Sequence, residues 1–278
     1  MAKIPELKSQ YIWLVALILF LIPAVNPLGA PFAMSDVTVK IYDLMQSLPE
    51  KSIVVMGGAS VFAFDIESSP GMIACLKQMA ARHLRLVTFP LGTEAAQYHK
   101  FCIDAARVDQ KYGGPWKYGV DYVLLPYTPG GSAALISFLK SVEATVTLDI
   151  NGVPINQLPL MRDFHSYKDI AVWMCPHWGF IDIIRYATGE CGVISVSFAQ
   201  SAAYATFSPY MMAYPGKVYM TNGYVGGAQY ERLVGIKGLG HKVVDSYSLI
   251  SVLIPALIIL GNITMIVRMK EEEVEAKE

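Results

Sequence analysis

The sequence predicts an α/β domain, doubly wound about a mostly parallel sheet of five or six strands and flanked by two transmembrane helices. Three observations lead there. The runs SIVVM, YVLL, IAVWM and VISVS are apolar without alternation, as strands covered by helices on both faces are. Longer amphipathic stretches alternate with them, the mark of repeated β/α units. Two runs free of charge, 11–34 and 248–267, frame everything between them.

A bilayer core of about 30 Å needs roughly 20 apolar helical residues, and both framing runs are long enough. In the first, Asn26, Pro27, Gly29 and Pro31 end regular helix near Val25. In the second, Pro255 is tolerable inside a membrane, and the run stops at Arg268 and Lys270 like a stop-transfer segment. Alternatives exist for each. Lys3 and Lys8 before an apolar run, with Gly-Ala-Pro-Phe-Ala behind it, also fit a cleaved signal peptide. The second run could be a buried core helix, against which the tail KEEEVEAKE argues.

Lys3 and Lys8 precede the first run and only Lys40 follows it closely, which puts the amino terminus in the cytoplasm. The second run votes neither way, with Arg232, Lys237 and Lys242 before it and Arg268, Lys270 and Lys277 after. The reading is therefore a two-pass cell-membrane protein: a cytoplasmic tail 1–10, a first span and its exit 11–34, an extracytoplasmic α/β domain 35–245, a second span 246–267 and a charged cytoplasmic tail 268–278.

Within the domain, Ser35 and Asp36 cap a helix to Leu48, followed by strand 52–56, helix 70–81 and strand 84–89. Gly92-Thr93-Glu94 opens a helix to about 108, and the turn-rich DQKYGGPWKYG leads to strand 121–125. Helix 132–142 comes next. The stretch 145–167 is either a hairpin turning at Asn151-Gly152 or an excursion over the sheet edge. Later strands fall at 170–174, 192–197 and 217–220, with helices at 180–187 and 209–213. The order of elements is that of a three-layer, Rossmann-like domain.

Composition narrows the function classes. Apolar residues make up 54% and charged residues 16%, and the net charge of −1 offers no field for nucleic acid. Cys75, Cys102, Cys175 and Cys191 lack zinc-type spacing and read as buried free thiols, an oxidised pair being the alternative. No metal and no cofactor is expected.

In a doubly wound sheet, ligands lie beyond the carboxyl ends of the strands. Four such loops are rich in small residues: Gly57-Gly58-Ala59-Ser60 with Asp65, Glu67 and Ser68 beyond it, Tyr127-Thr128-Pro129-Gly130-Gly131-Ser132, Cys175-Pro176-His177-Trp178-Gly179, and Ser197-Phe198-Ala199-Gln200-Ser201. Thr128, Gly130, Gly131 and Ser132 make a turn whose amides and following helix suit a carboxylate or phosphate, although it lacks the lysine of a phosphate loop, and a plain strand-to-helix turn has the same residues. Cys175 and His177, oriented by Asp65 or Glu67, are the candidate thiolate, base and acid, but residues two apart on a loop need not meet. Ser132 and Ser201 lack the flanking small residues of a nucleophile elbow. Tyr204, Phe207, Tyr210, Tyr214, Tyr219, Tyr224 and Tyr230, with Met211, Met212 and Met220, crowd the region before the second anchor. Such a surface suits protein contact, and the same residues also suit core or a membrane belt.

The stretches YGVDYVLLPYTPGGSAALISF, NGVPINQLPLM and GYVGGAQYERLVG, with NPLGAPF after the first span, resemble an uncharacterised prokaryotic family of membrane-anchored α/β proteins. The resemblance covers most of the chain. It implies the two-anchor architecture, no established reaction, and weight on Tyr127 to Gly131 and on Gly226 to Glu231. Cys175-Pro176-His177 departs from the serine- and glycine-like loop that the pattern implies, which weakens a cysteine mechanism.

The function expected is a non-catalytic scaffold or accessory subunit of a membrane assembly, with a homo-oligomer or other membrane subunits as partners and Tyr210, Tyr214, Tyr224, Tyr230 and Glu231 in contact with them. The opposing expectations are a membrane-anchored, hydrolase-like enzyme using the strand-end crevice and a sensor of a small anionic ligand.

Overall fold

A computed structural model of the chain describes residues 8–108, 115–176 and 179–275, with the side chains of the last helix described as far as Met269. The chain forms two compact units, one built from the residues before Phe32 and after Gly240, the other from Phe32–Gly240.

The larger unit is a six-stranded sheet in the order β3-β2-β1-β4-β5-β6. Every neighbouring pair is parallel, so the expectation of a mostly parallel sheet is sharpened to an all-parallel one. The strands are β1 (Ile53–Gly58), β2 (Arg85–Pro90), β3 (Tyr122–Leu124), β4 (Ile170–Cys175), β5 (Ile194–Ala199) and β6 (Val218–Asn222). The chain starts in the middle, builds outward to β3, then returns to lay β4 beside β1. This order reverses direction between β1 and β4, the point at which doubly wound proteins hold ligands.

Strand residues alternate between two apolar clusters because successive side chains leave a strand on opposite faces. Ile53 and Val55 belong to one cluster, Val54 and Met56 to the other. The apolar runs do not alternate because both faces are covered. Helices α2 (Asp36–Ser47), α4 (Ser69–Ala81), α5 (Ala95–Ala106) and α10 (Gly223–Val234) supply one layer. The other comes from α6 (Ser132–Lys140), a π-helix Ile183–Glu190 and α9 (Ser201–Ala213). Short helices α3 (Phe62–Asp65), α7 (Val142–Thr145) and α8 (Phe180–Asp182) join these pieces.

Several elements depart from expectation. Ser35 occupies the N-cap of α2 without a side-chain cap bond. The helix expected at 209–213 begins eight residues earlier, at Ser201, and carries Pro209 inside it. Residues 180–187 form one short α turn followed by π-helix, not a single α-helix. The stretch 145–167 combines both readings: antiparallel backbone bonds from Asp149 N to Val153 O and from Ile155 N to Thr147 O, with the bridge Leu148 to Pro154, close a short hairpin around Asn151-Gly152, and 3-10 turns complete the return. Residues 109–114 of the turn-rich segment lie outside the described residues.

In the smaller unit, α11 (Leu239–Glu275) contains a 31-residue stretch, Leu239–Met269, long and apolar enough to cross a bilayer, with an 18-residue window of mean hydropathy 2.4 that is 0% buried. It begins inside the range expected for the domain. The first apolar run yields α1 (Ser9–Val25), 17 residues, after which Asn26 leaves helical geometry as expected. The two helices meet. Asp245 accepts the N–H of Gly29 and of Ala30, one on each carboxylate oxygen at 2.8 Å, and Ser246 Oγ donates to the carbonyl of Phe20 at 3.0 Å.

Candidate functional site: the strand-end crest

Glycine lets the loops beyond the sheet approach one another closely. Trp173 Nε1 donates to the carbonyl of Gly57 at 3.2 Å, and a Cβ on Gly57 would stand 2.7 Å from Trp173 Cζ2 and 2.8 Å from the carbonyl oxygen of Phe89. A Cβ on Gly92 would come within 3.0 Å of Ala59 Cα, and one on Gly179 within 3.3 Å of the Ala59 nitrogen. The loops after β1, β2 and β4 therefore touch through their backbones. Pro176 is drawn into the same knot, its carbonyl accepting from Ser197 Oγ at 3.1 Å and from Ser68 Oγ at 3.4 Å.

The chain's own carboxylates occupy loop N–H groups that in other proteins of this architecture hold anions. Asp65 Oδ2 accepts from Val61 N at 2.8 Å, Glu94 Oε2 from Phe62 N at 3.2 Å, and Glu67 Oε1 from Ser201 at both N (3.3 Å) and Oγ (2.6 Å). Glu67 thus sits at the amino end of α9, where a ligand anion would otherwise benefit from the helix dipole. Gln200 Nε2 donates to the carbonyl of Phe64 and ties the β5 loop to the same segment.

Beneath these loops lies a buried set of titratable groups. Burial pushes the Asp65 carboxyl up to about 6 against the opposing effect of the Val61 N–H. Tyr98 donates to the carbonyl of Asp65 at 2.7 Å; burial first, then the neighbouring Cys102, Asp65 and Cys175, hold its phenol well above the ordinary range. Burial pushes the Cys102 thiol up to about 12. His99 is fully buried and driven down to about 3 by desolvation; its Nε2 is 3.5 Å from Ser60 Oγ, and its Nδ1 has no hydrogen-bond partner among the described residues. Near neutral pH the Cys102 thiol, the Tyr98 phenol and the His99 imidazole are therefore neutral, and Asp65 is the one of the four that still ionises.

Of the sequence candidates, Cys175 and Asp65 both neighbour Tyr98, while His177 lies outside the described residues. Cys175 is fully buried as the last residue of β4. Thr128 donates its N–H to Pro90 at 3.3 Å, which places the Thr128 to Ser132 turn beside the end of β2 at the sheet's edge. Gly130 and Gly131 take φ of 118° and 54°, which requires glycine, and a Cβ on Gly131 would meet nothing within 4 Å. Tyr210 and Tyr214 are half-buried and rest on the core with one flank; Tyr224 is half-buried at the start of α10. Tyr230 and Glu231 are corrected: both are interior, Tyr230 bonded to Gln78 and Glu231 to the N–H groups of Gly238 and Gly240, because residues facing α4 and the turn after α10 cannot also face solvent. The sequence reading places Ser60 and Glu67 in the first strand-end loop and Glu94 at a helix start, but it gives Ser60 no partner, offers Glu67 only as an orienter of the Cys175 and His177 pair, and takes the buried His99 for a surface or cap residue. The partner of Glu67 stands 134 residues away and leaves no local pattern.

Fold and crest define a doubly wound, all-parallel α/β protein carrying a long apolar helix. No family model matches the chain, and no curated protein sequence matches it. Among solved structures it is similar to trehalose-6-phosphate synthase (OtsA), with 10% identity and a TM-score of 0.32 over 84% of this chain. The chain spans 46% of that protein, about half its length, and a likeness this slight says nothing of activity.

Proposed function

We propose that the protein is a non-catalytic scaffold or accessory subunit of a membrane assembly, held by α1 and α11 with both termini cytoplasmic and the α/β domain outside the cytoplasm. One observation carries the reading. Helix α9, SAAYATFSPYMMA, contains no charged residue, yet only Ala203 is buried among its 13 residues, and Met212 is 80% exposed. A surface helix of an isolated domain normally turns a charged face to water. An uncharged one rich in tyrosine and methionine has the composition of a protein contact.

Two further observations support it. Among the described residues of the crest, loop N–H groups that could hold an anionic ligand are taken by the chain's own carboxylates, which favours the scaffold over an anion sensor. The bonds from Asp245 and Ser246 to the first apolar segment favour a helical hairpin, which returns the chain to the side it left. Lys3 and Lys8 then favour the cytoplasm for that side.

A second reading has its own observation: the Asp65 carboxyl, raised to about 6 at the ligand-binding end of the fold beside Tyr98, is the kind of perturbed acid that marks enzyme sites. Native mass spectrometry of the protein extracted gently from its own membrane separates the two. A stoichiometric complex that dissociates in the Tyr210→Ala and Tyr214→Ala variants supports the scaffold. A monomer retaining a small molecule, lost in Asp65→Asn, overturns it in favour of the enzyme.

A further inference from the structure

Four consecutive residues of α10 hold three different parts of the domain. Gln229 donates from Nε2 to the carbonyl of Ala33 at 2.6 Å and accepts from Thr38 Oγ1 at 2.8 Å, fixing the chain where it arrives from the first apolar segment. Tyr230 reaches into the core and donates to Gln78 Oε1 at 2.5 Å. Glu231, 2% exposed, accepts from Gly240 N at 3.0 Å and Gly238 N at 3.1 Å, fixing the chain where it departs for the last helix. Arg232 lies 5.7 Å from the ring centre of Phe32. Both connections are thus clamped by one helical turn.

The clamp has no slack. A Cβ on Gly238 would collide with the Glu231 carboxylate, and one on Gly240 would lie 2.6 Å from the Ala228 nitrogen. At the other end of α10, a Cβ on Gly223 would collide with Ser201 Oγ and with Glu67 Oε1, the pair that closes the crest. Between the ends, Gly226 packs against Thr221 at 2.6 Å and Gly227 against Pro70 at 2.8 Å by the same measure. Twelve helical residues, roughly 18 Å, are therefore seated without clearance at the crest, in the middle and at the clamp.

We infer that α10 is a coupling rod: a displacement of the crest at Glu67 and Ser201 is delivered to the two connections at Gln229 and Glu231, and a displacement of the connections returns to the crest. The inference deepens the scaffold reading, since a partner seated on α9, whose first residue is Ser201, would act by this route on the two connections. Neither end alone accounts for it, because packed helices shift as units.

Coupling between sites is reciprocal, which supplies the test. Amide exchange by mass spectrometry is measured on the full chain in detergent micelles, for wild type, Glu67→Ala, Ser201→Ala and Glu231→Gln. A coupling rod speeds exchange at 236–240 by about fivefold or more in Glu67→Ala, the lower end of typical coupling between sites, and speeds exchange at 199–203 in Glu231→Gln. Strands β1 and β4 stay protected in both. Ser201→Ala, which removes one hydroxyl, gives the same pattern at smaller size and replaces Glu67→Ala if that variant exposes β1. Changes confined to each variant's own neighbourhood overturn the inference. No partner is needed for this readout, so a negative result here leaves the mass-spectrometric test of the scaffold untouched, and the reverse holds as well.

Discussion

The phenol of Tyr98 donates to the backbone carbonyl of Asp65 at 2.7 Å, and that bond ties α5 to the loop carrying the acid most displaced from its ordinary behaviour. With His99 next along α5, two buried groups of opposite character stand under one crest, and their effects on stability have opposite signs.

Asp65 titrates near 6 in the folded chain and near 3.8 when unfolded, so the native state holds its proton more tightly; the stability this contributes is full below about 3.8 and lost as pH rises through 6. His99 titrates near 3 when folded and 6.5 when unfolded, so its contribution is full above about 6.5 and lost as pH falls toward 3. Each changes stability by about 1.4 kcal/mol per pH unit where it acts, and between about pH 4 and 6 they cancel. The wild type should therefore show a nearly flat contribution there in urea unfolding. Asp65→Asn should expose a fall in stability toward acid, and His99→Gln a fall toward pH 6. Parallel pH profiles for the three proteins would refute the assignment.

Gly57→Ala tests the closure of the crest. The added methyl must push either the Trp173 indole or the β2 backbone at Phe89, and overpacking of this kind costs about 1–3 kcal/mol. Denaturant unfolding at fixed pH should show a lower midpoint with an unchanged slope. An unchanged midpoint would mean that the loops have room to separate.

Asp245→Ala should free the amides it holds. Hydrogen bonds to a charged group contribute about 1.5–3 kcal/mol, so exchange across 26–34 should quicken by at least about tenfold in the variant, with α1 losing its fixed place against α11. Equal exchange in both proteins would show that packing and the Ser246 bond hold the two apolar helices without Asp245.

How much of this was legible beforehand depends on range. The strands were, because SIVVM and IAVWM carry their own signature of double-sided burial and need no partner to be recognised. The strand order was not, since nothing local in residues 145–169 says that the chain returns to the middle of the sheet. The loops beyond the strands were legible as glycine-rich, but their closure was not: Gly57 is intelligible only beside Trp173, and Glu67 only beside Ser201. Asp245 is a single acid before an apolar run until Gly29 and Ala30 are seen against it.

Tyrosines of one short segment divide in the same way, and the division can be measured. Tyr230 and Tyr210 read alike in the sequence, both in an aromatic stretch before the last helix. In the fold, Tyr230 is fully buried, edge-on to Phe198 at 5.2 Å and bonded to Gln78, whereas Tyr210 is half-exposed on the uncharged face of α9. Tyr230→Ala should cost about 3–5 kcal/mol, as removal of a buried aromatic ring does, and lower the melting temperature sharply whether or not any partner is present. Tyr210→Ala should change the isolated protein's melting temperature little and act on assembly instead, because truncating a tyrosine that is an interface hot spot weakens association by about 2 kcal/mol or more, about thirtyfold. Thermal unfolding and native mass spectrometry on the same two variants read both effects. The division fails if Tyr210→Ala unfolds as readily as Tyr230→Ala, for α9 would then belong to the core of the lone domain and its uncharged face would need no partner.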